Sequence, residues 1–218
     1  MNVLVVVAHP DDETLGVGAT MAKHVESGDT VAVLILGEGV VSRGARLKSE
    51  IAPLQENARR ALKKLGVYDV TFLNFPDNNF DSVPLLKIVK EIEGKISEVK
   101  PAQIYTHHYS DLNVDHKLTY RAVLTAARPI NQHVKKILCF EVPSSTRWDT
   151  EMDFQPNCYV DVSATLQKKL DALKEYGNEM REFPHARSLK YVEALAMVRG
   201  GDANLNAAEA FVIAREVM

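Results

Sequence analysis

The segment Ala8-His9-Pro10-Asp11-Asp12-Glu13 places a histidine and three acids within five positions, directly behind an apolar run. A turn that only reversed the chain would not need that density of ionisable groups. At the carboxyl end of a buried strand, His9 and Asp12 can converge on one point, and an imidazole with a carboxylate is a partial shell for a divalent metal such as zinc. A third ligand has to come from another strand end. The stretch Thr106-His107-His108-Tyr109-Ser110-Asp111-Leu112-Asn113-Val114-Asp115-His116 supplies three histidines and two aspartates behind a second apolar run. Alone, the first segment reads equally well as a polar turn before a capped helix, with Asp11 or Asp12 as N-cap and Glu13 in the first turn. The second loop tips the balance toward a shared site.

The two loops meet only if the intervening elements bring their strands together. Short apolar runs alternate with longer amphipathic ones along the chain, the pattern of βαβ units whose parallel sheet is buried on both faces. Strands are expected over 3–8, 30–36, 70–75, 103–107, 134–141 and 158–162. Helices are expected over 13–26, about 46–65, 83–99, 115–127, 163–176 and 188–198, with Gly28 and Gly66 as stops and Ser163 as a cap. Pro53 either splits its helix or marks a first-turn position, and 207–217 reads as strand or helix. The expected fold is α/β, a Rossmann-like three-layer sandwich with a mostly parallel central sheet. It forms one domain over 1–218, with 142–218 a less regular lobe on the same core. In the usual doubly wound order the first and fourth strands are neighbours at the switch point, so both loops open into one crevice.

Charge and composition narrow the partners. With 26 basic and 29 acidic residues the formal charge is −3, and the basic residues are scattered, so neither nucleic acid nor a membrane surface is an expected partner. No stretch approaches the roughly 18 unbroken apolar residues of a bilayer span. The first residues lack the positive region of an export signal, so a cytoplasmic protein is expected. Cys139 and Cys158 stand apart in apolar stretches and read as buried thiols. Gly16-Val17-Gly18 lacks the third glycine of a dinucleotide-binding turn, Met21 standing at that offset, and reads as close packing of the first helix on the sheet. Lys168-Lys169 reads as a solvated helix face.

The segment AHPDDE behind a first strand, followed about a hundred residues later by DLNVDH opening a helix, resembles the zinc-dependent N-deacetylases of the LmbE-like, or PIG-L, family. The FPD turn at Phe75, Pro76 and Asp77 extends the likeness. The resemblance implies His9, Asp12 and His116 as metal ligands and Asp11 as general base. Three protein ligands leave a position for water, whose pKa a bound Zn²⁺ lowers from about 16 toward about 7. Asp11 would accept that proton and later pass it to the departing amine, giving acetate and a free amino sugar. Many members carry a histidine three positions before the ligand histidine, where this chain has Asn113. An amide can donate a hydrogen bond but supplies no proton. Either Asn113 is a neutral oxyanion donor, the reading its position favours, or His107 or His108 reaches in, with His108 the spare. Adjacent residues on a strand end point oppositely, so at most one of that pair should face the crevice. Asp115 is expected to hold a ligand or a neighbouring histidine by hydrogen bond.

Substrate contacts are expected from other strand ends: Arg43 and Arg46 behind the second strand, Asp77 and Asn78 behind the third, and Glu141 and Trp148 around the fifth, the indole as a floor for a sugar ring. His185 and Arg199 are assigned surface or structural roles. The expected reaction removes acetyl from an N-acetylated amino sugar, an N-acetylglucosaminyl or related soluble conjugate. An amidase acting on another N-acyl or mycothiol-type conjugate and a metal- or sugar-binding module without turnover are the competitors. Zinc is the expected ion, with Fe²⁺ or Mn²⁺ compatible with the same shell. The resemblance also allows a homo-oligomer, a trimer or hexamer.

Overall fold

The strands are β1 (Asn2–Val7), β2 (Thr30–Gly37), β3 (Asp69–Phe75), β4 (Gln103–His107), β5 (Lys136–Phe140), β6 (Cys158–Asp161) and β7 (Ala208–Glu216). The helices are α1 (Asp12–Glu26), α2 (Ile51–Lys64), α3 (Leu85–Val99), α4 (Val114–Ala126), α5 (Leu166–Leu173) and α6 (Leu189–Gly201). The computed structural model describes residues 1–39, 50–130, 133–148, 150 and 154–218. Arg43 and Arg46 lie outside the described residues.

β1 lies between β2 and β4 in one sheet of order β3-β2-β1-β4-β5-β7-β6. Its register runs parallel to β2 on one side and to β4 on the other, and β2–β3 and β4–β5 continue the parallel pairing outward. From Val3 onward the strand is apolar and buried because both of its faces are covered. Val3, Val5 and Val7 enter one core with α1, α2 and α5, whereas Leu4, Val6 and Ala8 enter the other with α3 and α4. Each fully buried valine or leucine contributes about 1.5–3 kcal/mol of transfer free energy, so the strand that carries the first ionisable segment is also firmly held. The chain winds outward from β1 in both directions, and the crevice of the switch point opens at the carboxyl ends of β1 and β4.

The carboxyl-terminal part extends the same sheet. β7 pairs antiparallel with β5 and with β6, which resolves 207–217 as strand: Ala208, Ala210 and Phe211 are buried while the strand bonds on both edges. Pro53 is the third residue of α2, inside the first turn where a missing N–H is harmless. Ser163 does not cap α5. Its amide and hydroxyl go to Asp161 Oδ1 (2.9 and 2.6 Å), and the helix starts at Leu166 with Thr165 at the N-cap position. Lys169 departs from the expected solvated face too. Lys168 is exposed, but the Lys169 side chain is 6% exposed and pairs with Glu209 Oε1 at 2.6 Å.

Gly16 earns its place by close approach. A Cβ there would lie 2.1 Å from a ring carbon of Phe140, a separation at which the buried ring, the helix or β5 has to shift. Gly16→Ala is expected to lower stability by about 2 kcal/mol through overpacking. At roughly 2–4 °C per kcal/mol for a chain of this size, a thermal melt should show a drop of several degrees; an unchanged melting temperature would contradict the packing described.

Candidate metal centre and cleft

The turn behind β1 is built by its own side chains. Asp11 has φ 105°, a conformation a non-glycine residue holds only with support. Glu13 gives that support: its Oε2 accepts the Asp11 amide at 3.0 Å, while its Oε1 accepts the hydroxyls of Tyr176 (2.6 Å) and Thr14 (2.7 Å). Burial pushes the Glu13 carboxyl up, and those hydrogen bonds pull it back. Asp12 then folds inward, its Oδ2 accepting the His9 amide at 3.0 Å.

The second segment enters from β4 and the start of α4. Asn113 caps α4, its side-chain oxygen accepting the Asp115 amide at 2.8 Å, so Asp115 and His116 leave the first turn into the sheet end. Asp12 Oδ2 consequently lies 3.4 Å from His9 Nδ1 and 3.2 Å from His116 Nε2. Single donor atoms of His9, Asp12 and His116 all fall within 4.8 Å of one another. The far nitrogens face carboxylates as well: His9 Nε2 contacts Asp115 Oδ2 at 2.9 Å, and His116 Nδ1 is 3.1 Å from Asp111 Oδ2. Those carboxylates are themselves held, Asp115 by the Phe80 amide (2.9 Å), Asp111 by the Asn113 amide (2.9 Å), Thr146 Oγ1 (2.6 Å) and the Ser145 hydroxyl. Metal-binding imidazoles are oriented by this kind of outer carboxylate.

The charge balance asks for a cation. Asp12 is fully buried and its Oδ1 has no hydrogen-bond partner. Burial opposes its ionisation, but the imidazoles of His116 and His9 hold the carboxyl well below its usual range. Burial likewise works against protonation of the two imidazoles, and the surrounding carboxylates overcome it: Asp115 and Asp12 raise His9 to about 9, and Asp12 and Asp111 raise His116 to about 10. A buried carboxylate with Oδ2 set between two imidazoles and Oδ1 left without a partner fits a divalent ion of the zinc type once those imidazoles give up their protons, with His9, Asp12 and His116 as its holders.

His107 points inward and is neutral. Its Nε2 accepts the Ala8 amide at 2.9 Å, its ring stacks on His116 with centroids 3.9 Å apart, and burial and the neighbouring His116 push it down to about 3. His108 points the other way, which removes it as a candidate acid. Its ring packs on Tyr109 and Phe154, its Nδ1 meets Ser110 Oγ at 2.7 Å, and burial lowers it to about 4.

Above the cluster lies a cleft of about 500 Å³ whose lining includes Asp11, Asp77, Asn113, Trp148, His185 and Arg187. Asp77 Oδ1 reaches His9 Nε2 at 3.3 Å. Asn113 Nδ2 donates to Asn78 Oδ1 at 2.7 Å at the cleft edge. Trp148 is 53% exposed and meets the His185 ring edge-on, centroids 6.2 Å apart, so His185 belongs to the cleft, contrary to the role expected for it. Arg199 and Glu141 pair with each other (2.7 and 3.0 Å) and are not among the lining residues.

Arg187 was not anticipated. Its Nη1 donates to Asp11 Oδ2, its Nε to Ser144 Oγ at 2.7 Å, and Glu179 lies 3.7 Å away. Burial raises the Asp11 carboxyl to about 7 against the opposing pull of Arg187, with Asp12 and Glu179 adding to the rise. No periodicity marks an arginine 176 residues from its partner; the one local sign is its place just before Ser188, the cap of α6.

A mostly parallel sheet with two imidazoles and a carboxylate gathered at its switch point defines an α/β protein whose open cleft lies over residues able to hold a metal ion. The family described as PIG-L: GlcNAc-PI de-N-acetylase matches residues 4–127, and the chain belongs to it. The uncharacterized deacetylase YaiS of Escherichia coli K12 is 32% identical over 181 residues, covering 80% of this chain and 90% of that protein. The diacetylchitobiose deacetylase of Thermococcus kodakarensis is 27% identical over 91% of this chain and 78% of its own length. Among solved structures, GalB of Pseudomonas putida KT2440, a 4-carboxy-2-hydroxymuconate hydratase, superposes with a TM-score of 0.79 at 20% identity, over 100% of this chain and 97% of that one. That likeness concerns the fold, which hosts more than one chemistry.

Asp115→Asn should weaken zinc binding about 10–100-fold by releasing the His9 ring, without unfolding the chain. Competition with a chromogenic chelator measures it, and an unchanged affinity would contradict the outer-carboxylate role.

Proposed function

We propose that the protein is a metal-dependent N-deacetylase that hydrolyses the acetamide of an N-acetylated amino sugar conjugate, such as an N-acetylglucosaminyl compound. The observation that carries this reading is the Asp11 carboxylate, held in the cleft wall by Arg187 immediately beside the His9, Asp12 and His116 cluster. A divalent ion held by those three residues, zinc in the first instance and Fe²⁺ or Mn²⁺ as alternatives, would supply Lewis acidity and lower the pKa of water.

Asp11 is the proton carrier. Its carboxylate takes a proton from the attacking water and returns it to the departing nitrogen, so that water and the acetamide leave as acetate and the amine. Arg187 keeps one carboxylate oxygen turned toward itself and fixes the orientation of the other. Asn113 uses its oxygen as the helix cap and one amide hydrogen on Asn78, which leaves the second amide hydrogen as a neutral donor at the cleft edge for the developing oxyanion. Asp77 and Trp148 contact the sugar, the indole offering an apolar face to a ring. Among the described residues no helix is long and apolar enough to cross a membrane, which agrees with a small soluble substrate. A cytoplasmic location and a trimeric or hexameric assembly belong to the same reading.

Asp11→Asn should keep its metal and lose turnover by roughly a hundred- to ten-thousand-fold, read as acetate released from a panel of N-acetylated sugars beside elemental analysis. Retained turnover would overturn the assignment, and a panel on which the unmodified protein releases no acetate would overturn the substrate class. Trp148→Ala should raise KM about three- to tenfold with little change in kcat; an unaltered KM would remove the indole from the sugar site.

A further inference from the structure

The Gly16-Val17-Gly18 stretch is not part of the cleft lining, yet α1 breaks there. Val17 has φ −141° and ψ 16°, outside helical values. In a regular helix the Leu15 carbonyl pairs with the Ala19 amide. Here a buried ion pair bridges those two groups. Lys169 Nζ donates to Leu15 O at 2.7 Å and to Glu209 Oε1 at 2.6 Å, and Glu209 Oε1 accepts the Ala19 amide at 3.1 Å. Glu209 Oε2 takes the next amide, Thr20, at 2.7 Å. The carboxylate thus caps the long part of α1 as a separate helix, and the ammonium closes the short turn before it.

The short turn is the one that carries Asp11 and Asp12. Leu15, whose carbonyl Lys169 holds, donates its own amide to Asp11 O at 2.9 Å, so two hydrogen bonds lead from Lys169 to Asp11. On the other side Gly16 lies against Phe140, whose ring contacts His107, which stacks on His116. From this geometry we infer that the Lys169–Glu209 pair is a positioning device: inserted into α1 from α5 and β7, it aims the Asp11-Asp12 turn at His116 independently of the helix that follows. A buried ion pair gives little net stability, whereas removing one partner strands a charge, so its presence here asks for a reason other than stability.

The inference rests on Asp11 and Asp12 being base and ligand, and its test therefore includes a backbone readout that needs neither metal nor substrate. Lys169→Met, the paired variant Lys169→Met with Glu209→Gln, and Lys169→Arg are compared with the unmodified protein. The paired variant strands no charge and keeps the test available if Lys169→Met fails to fold. Loss of the ammonium should move Val17 toward helical dihedrals in a crystal structure. It should also weaken zinc binding and lower kcat, each about tenfold or more, with KM within about twofold, because a small misplacement of reacting groups acts on the chemical step. Lys169→Arg, which keeps a charged donor, should stay within about threefold of the unmodified protein. Variants that lose only melting temperature, with zinc affinity, kcat and the Val17 backbone unchanged, would overturn the inference. If the unmodified protein binds no zinc and releases no acetate, the functional reading falls, and the Val17 backbone of the paired variant alone decides: closure of the break supports the positioning role, and an unmoved break overturns it.

Discussion

A buried carboxylate with an oxygen to spare governs this molecule. Asp12 has no exposed surface, one of its oxygens is shared between two imidazoles and the other has no protein partner. An ionised group in such a place is stable only beside compensating positive charge. Outside the imidazoles stand Asp111 and Asp115, each anchored by amides or hydroxyls of a different loop. The loops behind β1, β3, β4 and β5 are therefore tied together through one cluster, and the hydrogen bonds that hold it also shape the cleft floor.

The scaffold explains how such a cluster survives. β1 and β4 lie side by side and are covered on both faces, so the strand ends that launch His9 and His107 are held by buried packing on either side of the sheet. The cleft walls come from the segments above them. Arg187, His185 and Trp148 reach the cleft from the residues that follow β5, a part of the fold that does not build the parallel core. A hydratase on a closely similar fold shows that the sheet itself does not choose the reaction. What speaks for amide hydrolysis is the local pairing of a proton-carrying Asp11 with a metal-ready trio, together with deacetylase relatives of similar length such as YaiS.

Much of this was readable from residues alone, for a physical reason. A short valine-rich run without polar interruption reads as a strand buried on both faces, and five positions holding a histidine and three acids behind it need a partner of opposite character. The adjacency of β1 and β4 follows from doubly wound topology, so the meeting of His9 with His116 could be anticipated. What could not be read depends on contacts distant in sequence. Lys169 looks like one of two surface lysines until Glu209 is placed beside it, and α1 looks continuous until both enter its break. His107 and His108 differ only in the face of the strand end they occupy. Ser163 has the chemistry of a cap but spends it on Asp161, and Arg187 offers only its place beside the α6 cap.

The most direct test of the metal centre is anomalous diffraction at the zinc edge from crystals of the protein loaded with one equivalent of zinc. A single peak contacting His9, Asp12 and His116, with Asp11 beside it and unligated, is the predicted result. A peak held instead by His9, Asp77 and Asp115, or no ordered peak at the strand ends, would contradict the account.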